Sequence, residues 1–134
     1  MNLLSIRIIT TDVERLAGFY ERITGISAMR YTEDFAELRT QTATLAIGST
    51  KTLLLFGGDH VAKAAQNHSA IIEFISSDVD DDYTRLLEFI QPSLVQKPTT
   101  MPWGNRSLLF RDPDGNLVNF FTPITIEAKE RFKN

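Results

Sequence analysis

The chain carries the same opening twice. Thr11-Asp12-Val13 and Ser77-Asp78-Val79 lie 66 residues apart, and each follows a short apolar run, Leu3 to Thr10 in one case and Ala70 to Ser76 in the other. Behind the first triplet Val13, Leu16, Tyr20 and Ile23 recur at helical spacing, and behind the second Val79, Tyr83, Leu86 and Ile90 do the same. Asp12 and Asp78 are placed as N-caps, because a short side-chain oxygen can accept from the unpaired amides of a first helical turn. A unit of strand, helix and three strands cannot cover both faces of its own sheet. Two such units are therefore expected together, helices outside and an inner concave face left for a ligand.

The remaining elements fill in around that repeat. Gly25 closes the first helix. Ala28 to Thr32 and Phe35 to Arg39 read as strand pieces interrupted by Glu33-Asp34, and Ala43 to Gly48 with Thr52 to Phe56 as a hairpin across Ser49-Thr50-Lys51. Pro92 ends the second helix and Leu94 to Met101 is a strand. Arg106 to Arg111 and Leu117 to Thr122 form a last hairpin about Asp112-Pro113-Asp114-Gly115-Asn116, where proline presets φ and Gly115 tolerates a positive one. One domain of 134 residues results, with module 1 at about 3–57, a connector at 58–69, module 2 at about 70–123 and a tail at 124–134. The connector holds both histidines, His60 and His68, which read as solvated loop residues. The tail is assigned no chemistry.

Composition narrows the function classes. With no cysteine there is no disulfide framework, thiol nucleophile or thiolate metal site. A net charge of -3 argues against a general nucleic-acid surface. No run of about 18 apolar residues is present to span a bilayer. The opening MNLLSIRIIT lacks a basic flank and a small-residue cleavage site, so a strand is expected there, not a signal peptide. A cytoplasmic protein with neither nucleic-acid nor membrane partner is the expectation. Gly-x-Ser-x-Gly, Gly-x-Gly-x-x-Gly and phosphate-loop motifs are missing.

Strand periodicity sorts the inward side chains. Ile6 and Ile8 are expected under the first helix, leaving Ser5, Arg7 and Ile9 inward; Ile72 and Phe74 are expected under the second, leaving Ile71, Glu73 and Ile75 inward. Leu54, Phe56, Asn119 and Phe121 follow on the last strand of each module. Arg7 and Glu73 occupy equivalent places and would pair if their strands adjoin. Otherwise Arg7 offers its planar fork to a carboxylate or phosphate, and Glu73 is the candidate general base. Trp103, in a loop between Pro102 and Gly104, can stack on a planar ligand. Phe35, Phe56, Phe110 and Phe121 are expected as aromatic lining, and Arg106 as a second anion contact. Phe19, Tyr20 and Tyr83 read as packing.

The last hairpin, its Pro102-Trp103-Gly104 lead-in and the segment DVERLAGFYERITG from Asp12 to Gly25 together resemble the vicinal-oxygen-chelate superfamily of glyoxalases, extradiol dioxygenases and bleomycin-binding proteins. The resemblance spans roughly residues 3–123 and implies an α+β fold: two tandem βαβββ modules forming a partly closed mixed sheet with helices outside. It also implies four inward metal-ligand positions, which here hold Ser5, Leu54, Ile71 and Asn119. Aliphatic side chains cannot offset the lost hydration of a divalent ion, so neither metal nor other cofactor is expected. By likeness to the bleomycin- and mitomycin-sequestering members, the expected protein is a homodimer holding a small organic ligand through Ser5, Arg7, Phe56, Glu73, Trp103, Arg106, Asn119 and Phe121. The alternatives are a metal-independent isomerase or lyase using Glu73 as base, and, ranked last, a metal-dependent glyoxalase or dioxygenase.

Overall fold

The computed structural model describes residues 1–133, which divide into two compact units. Unit 1 is Met1–Asn67 with the short turn Pro113–Gly115; unit 2 is His68–Asp112 with the chain from Asn116 onward. Each unit has its own four-stranded mixed sheet. The expected pair of tandem modules with helices and mixed sheets is present, as two four-stranded sheets not closed into a barrel.

In unit 1 the elements are β1 (Ser5–Thr10), α1 (Val13–Thr24), β2 (Met29–Thr32), β3 (Phe35–Arg39) and β4 (Thr44–Ser49), in the sheet order β1-β4-β3-β2. β1 and β4 run parallel and the other neighbours antiparallel. Asp12 caps α1 by accepting from the Arg15 amide at 3.0 Å, and Gly25 ends it in the left-handed conformation at φ 74°. The apolar stripe of α1 then meets one face of the sheet. Leu16, Tyr20 and Ile23 are fully buried, as are Ala36, Leu38 and Ile47. Each large apolar side chain buried in this way contributes roughly 1.5–3 kcal/mol.

Arg30 shares the helix-facing register with Ala36 and Ile47. Its guanidinium reaches up to α1 and takes both carboxylates there, Glu14 at 2.8 and 2.9 Å and Glu21 at 2.8 and 3.0 Å. Two forked pairs thus tie the edge strand β2 to the helix. Glu21 also accepts from the Ala28 amide at 2.7 Å.

The expected strand Thr52–Phe56 is not one. Thr50–Phe56 is a 3₁₀ helix, so no hairpin crosses Ser49-Thr50-Lys51. Ser49 caps it, its hydroxyl accepting from the Lys51 amide at 3.1 Å, while the Thr52 hydroxyl donates to the Ser49 carbonyl at 2.7 Å. Gly57 closes it at φ 109°. Local side-chain bonds of this kind offer the backbone an alternative to a ladder, and they outweigh the strand preference of a Leu-rich run. Phe35–Arg39 and Met29–Thr32 are instead two full strands, so the order of strand, helix and three strands holds with β4 as the last.

Unit 2 repeats the pattern with β5 (Ile71–Ile75), α2 (Val79–Ile90), β6 (Leu94–Thr100), β7 (Asn105–Arg111) and β8 (Leu117–Pro123), ordered β5-β8-β7-β6. β5 is parallel to β8. Asp78 caps α2 through the Asp81 amide at 3.1 Å. Val79, Leu86 and Ile90 are buried with Leu108, Phe110, Val118 and Phe120. Phe110 and Phe120 meet edge-on with ring centroids 5.3 Å apart. Phe110 is therefore core under α2 and not pocket lining, because its register partner Val118 lies on the helix face. The β7–β8 turn is closed by Asp112, whose carboxylate accepts from the Asn116 amide at 2.9 Å and from its side-chain nitrogen at 2.8 Å. A short helix, α3 (Ile126–Arg131), follows β8 and lays Phe132 against Phe121 at 5.1 Å. No helix among the described residues is long and apolar enough to cross a membrane.

Two outcomes follow. The Arg30 and Ala28 bonds hold the Glu21 carboxyl down from its ordinary 4.5 to about 2. A lowered folded-state pKa adds stability that is complete above the free value and lost as pH falls toward the folded one. Denaturant unfolding from pH 6 to 2 is expected to show a steeper loss below about pH 4.5 in the native chain than in Glu21→Gln, and equal slopes would contradict the pairing. At Gly104, φ is 94° and an added Cβ would stand 2.2 Å from the Thr125 hydroxyl. Gly104→Ala is expected to cost roughly 1–3 kcal/mol in the same assay through strain at a left-handed backbone.

Candidate functional site

The ladder registers sort each sheet into a helix face and an opposite face. In unit 1 the opposite face carries Ser5, Arg7 and Ile9 from β1, Thr44, Ala46 and Gly48 from β4, and Phe35, Glu37 and Arg39 from β3. Arg7 is its centre. The guanidinium carbon lies 4.8 Å from the Phe35 ring centroid and 5.4 Å from that of Phe56. Both distances are within range of attraction between a cation and a ring quadrupole.

Small residues make room for this arrangement. Ala46 is the register partner of Arg7. At Gly48 a Cβ would come within 3.3 Å of Arg7 Cδ and 2.9 Å of the Thr52 hydroxyl. Phe56 arrives from the 3₁₀ helix and remains 62% exposed, so its ring is free on one side. Among the described residues Arg7 has neither a hydrogen-bond nor an ion-pair partner. It is a stacked cation with its N–H donors unspent.

The aromatic strip continues away from Arg7. Tyr31 lies 6.0 Å from Phe35 in a tilted arrangement, and its hydroxyl accepts from Arg39 at 2.7 Å. Arg39 is neutralised by Glu37 at 3.0 Å, which raises the pKa of the guanidinium. Tyr31, Glu37 and Arg39 were not anticipated as site residues. A register shift in β2 between Arg30 and Thr32 breaks simple alternation there and hides where Tyr31 points.

In unit 2 the face opposite α2 carries Ile71, Glu73 and Ile75 from β5 and Leu117, Asn119 and Phe121 from β8. Glu73 and Asn119 are register partners, and the Asn119 side-chain nitrogen donates to Glu73 Oε2 at 2.8 Å. Because a carboxylate can only accept, this bond fixes which end of the amide is which. The other end, Oδ1, is buried with no partner. Arg7 and Glu73 belong to different units, and each has its close company within its own.

Arg106 lies elsewhere. Its register partner Thr122 faces α2, where it accepts from the Val79 amide at 2.9 Å. Arg106 itself is forked onto Asp80 of α2 at 2.9 and 3.0 Å, so it stands on the helix side as an ion-pair member. Trp103 occupies the turn between β6 and β7. It is 64% exposed and makes no ring contact among the described residues. Ser5 is exposed at the start of β1, and Phe121 is covered by Phe132.

The four positions considered for a metal can be tested by their chemistry. Ser5 offers a hydroxyl, Ile71 nothing, and Asn119 an amide already engaged with Glu73. Leu54 sits on the 3₁₀ helix, 73% exposed; the last strand of module 1 presents Thr44, Ala46 and Gly48 in its place. Among the described residues no three His, Asp or Glu side chains gather as ligands would. Such a donor set does not suit a divalent ion.

The same fold recurs in solved structures. A glyoxalase/bleomycin resistance protein/dioxygenase family enzyme from Burkholderia phytofirmans PsJN superposes with a TM-score of 0.80 at 15% identity, over 92% of this chain and 100% of that one. A glyoxalase/bleomycin resistance protein/dioxygenase from Nocardioides gives 0.75 at 20% identity, covering 94% and 85%. A structure from the mobile metagenome of V. Pseudocholerae gives 0.66 at 25%, covering 93% and 96%. At the identities of the first two, the likeness is one of fold. No curated protein matches the chain in sequence. A family model does match residues 2–120, and the chain belongs to the glyoxalase/bleomycin resistance protein/dioxygenase superfamily.

Proposed function

We propose that this protein holds a small organic anion on the sheet face of unit 1, without a metal and without turning the ligand over. The observation that carries this reading is Arg7, stacked on Phe35 and Phe56 with no anionic partner among the described residues. A guanidinium held by its faces keeps its edge donors for a carboxylate or phosphate, which it can take in a forked geometry. The rings of Phe35, Phe56 and Tyr31 offer the flat apolar surface on which the body of the ligand rests. Sequestration or carriage is the role that the flat rings and the open guanidinium support.

We extend the reading to a cytoplasmic homodimer. Leu54 and Leu55 in unit 1, and Trp103 in unit 2, are exposed large side chains of the kind a second copy covers.

Isothermal titration with 2-naphthoate is the direct test. Saturable binding is expected, with affinity falling roughly 10- to 100-fold in Arg7→Gln, the loss that accompanies removal of a charge-assisted hydrogen bond. Unchanged affinity in Arg7→Gln, or conversion of the recovered ligand to a product, would overturn the reading. Light scattering on the eluting protein is expected to give twice the mass of 15.1 kDa at micromolar concentration.

A further inference from the structure

We propose a second subsite on unit 2, specific for a protonated amine on an apolar body, with Glu73 as its charge and Asn119 as the residue that aims it. This goes beyond the anion site, using a different sheet and the opposite charge.

The case begins with an unfavourable feature. Asn119 is only 9% exposed and its carbonyl oxygen has no hydrogen-bond partner. Its neighbours along β8 on the same face are Leu117 and Phe121, and its partner across the ladder in β7 is Leu109. A leucine at 119 would suit those surroundings, whereas an unpaired buried carbonyl is a standing cost to the fold. What the amide does accomplish is one bond, from its nitrogen to Glu73 Oε2 at 2.8 Å. The group tolerated at a loss is the one that fixes the carboxylate.

Glu73 in turn has no Lys or Arg partner among the described residues. Two carboxylates nearby in sequence do have cationic company: Asp80 takes Arg106 and Asp82 takes Arg85. Glu73 stands on β5 between Ile71 and Ile75, two positions away on either side and so on the same face, and these are 52% and 57% exposed. A fixed anion between two open aliphatic side chains matches an ammonium group joined to an apolar body. Its charge meets the free oxygen of Glu73 and its body covers the isoleucines.

The probe is 2-phenylethylammonium, compared by titration with 2-phenylethanol, which has nearly the same shape and no charge. The native protein is expected to bind the amine roughly tenfold more tightly than the alcohol. In Glu73→Gln that advantage disappears while the alcohol binds as before. In Asn119→Leu the amine's advantage also falls, yet the melting temperature stays level or rises because the orphaned carbonyl is gone. A merely structural Asn119 would instead weaken both ligands together or lower the melting temperature. Three results would overturn the proposal: no saturable amine binding at millimolar concentration, equal binding of amine and alcohol, or an amine advantage that survives in Glu73→Gln. Stoichiometric binding of Mn²⁺ or Zn²⁺ that is lost in Glu73→Gln would also overturn it, by giving the carboxylate a different cation.

Discussion

The parallel pairing of the first and last strands of each module is the constraint from which the rest follows. Parallel neighbours cannot be joined by a tight turn, so the chain between them must travel. It travels through α1, β2 and β3 in one half and through α2, β6 and β7 in the other. The helix covers one face of the sheet it has left, and the pairing fixes which side chains face the other way. Arg7 opposite Ala46 and Glu73 opposite Asn119 are consequences of that register. A slip of one residue would have buried both charges under helices.

The two halves use this common frame differently. Unit 1 puts small residues, Ala46 and Gly48, beside its charge and lets rings close on it. Unit 2 puts an amide beside its charge and binds it directly. Stacking leaves a guanidinium's donors free, while the amide uses one of a carboxylate's acceptors and sets its direction. The chain thus carries opposite charges at equivalent positions of a repeated fold. Among the described residues no three imidazole or carboxylate side chains gather in either half.

Much of this was legible before any coordinates. The caps at Asp12 and Asp78 marked both helices because their chemistry is local, and strict alternation in β1 and β5 separated Arg7 and Glu73 from the helix faces. Failures came where local and longer-range preferences diverge. Thr50–Phe56 has strand-like composition, but Ser49, Thr52 and Gly57 provide a cap, a back-bond and a stop. Leu54 was assigned to a strand for that reason. Composition alone suggests aromatic lining for Phe110 and an anion contact for Arg106, yet one packs on Phe120 under α2 and the other is forked onto Asp80. Tyr31 was obscured by the irregularity in β2, which alternation cannot anticipate.

Phe56 is carried by a 3₁₀ helix and Phe35 by a central strand, and this difference bears on kinetics. Hydrogen bonds in a 3₁₀ turn are poorer than those in a ladder, so such a segment opens at lower free energy than the sheet beside it. Of the two rings beside Arg7, Phe56 is therefore carried by the segment that opens more readily and Phe35 by the sheet.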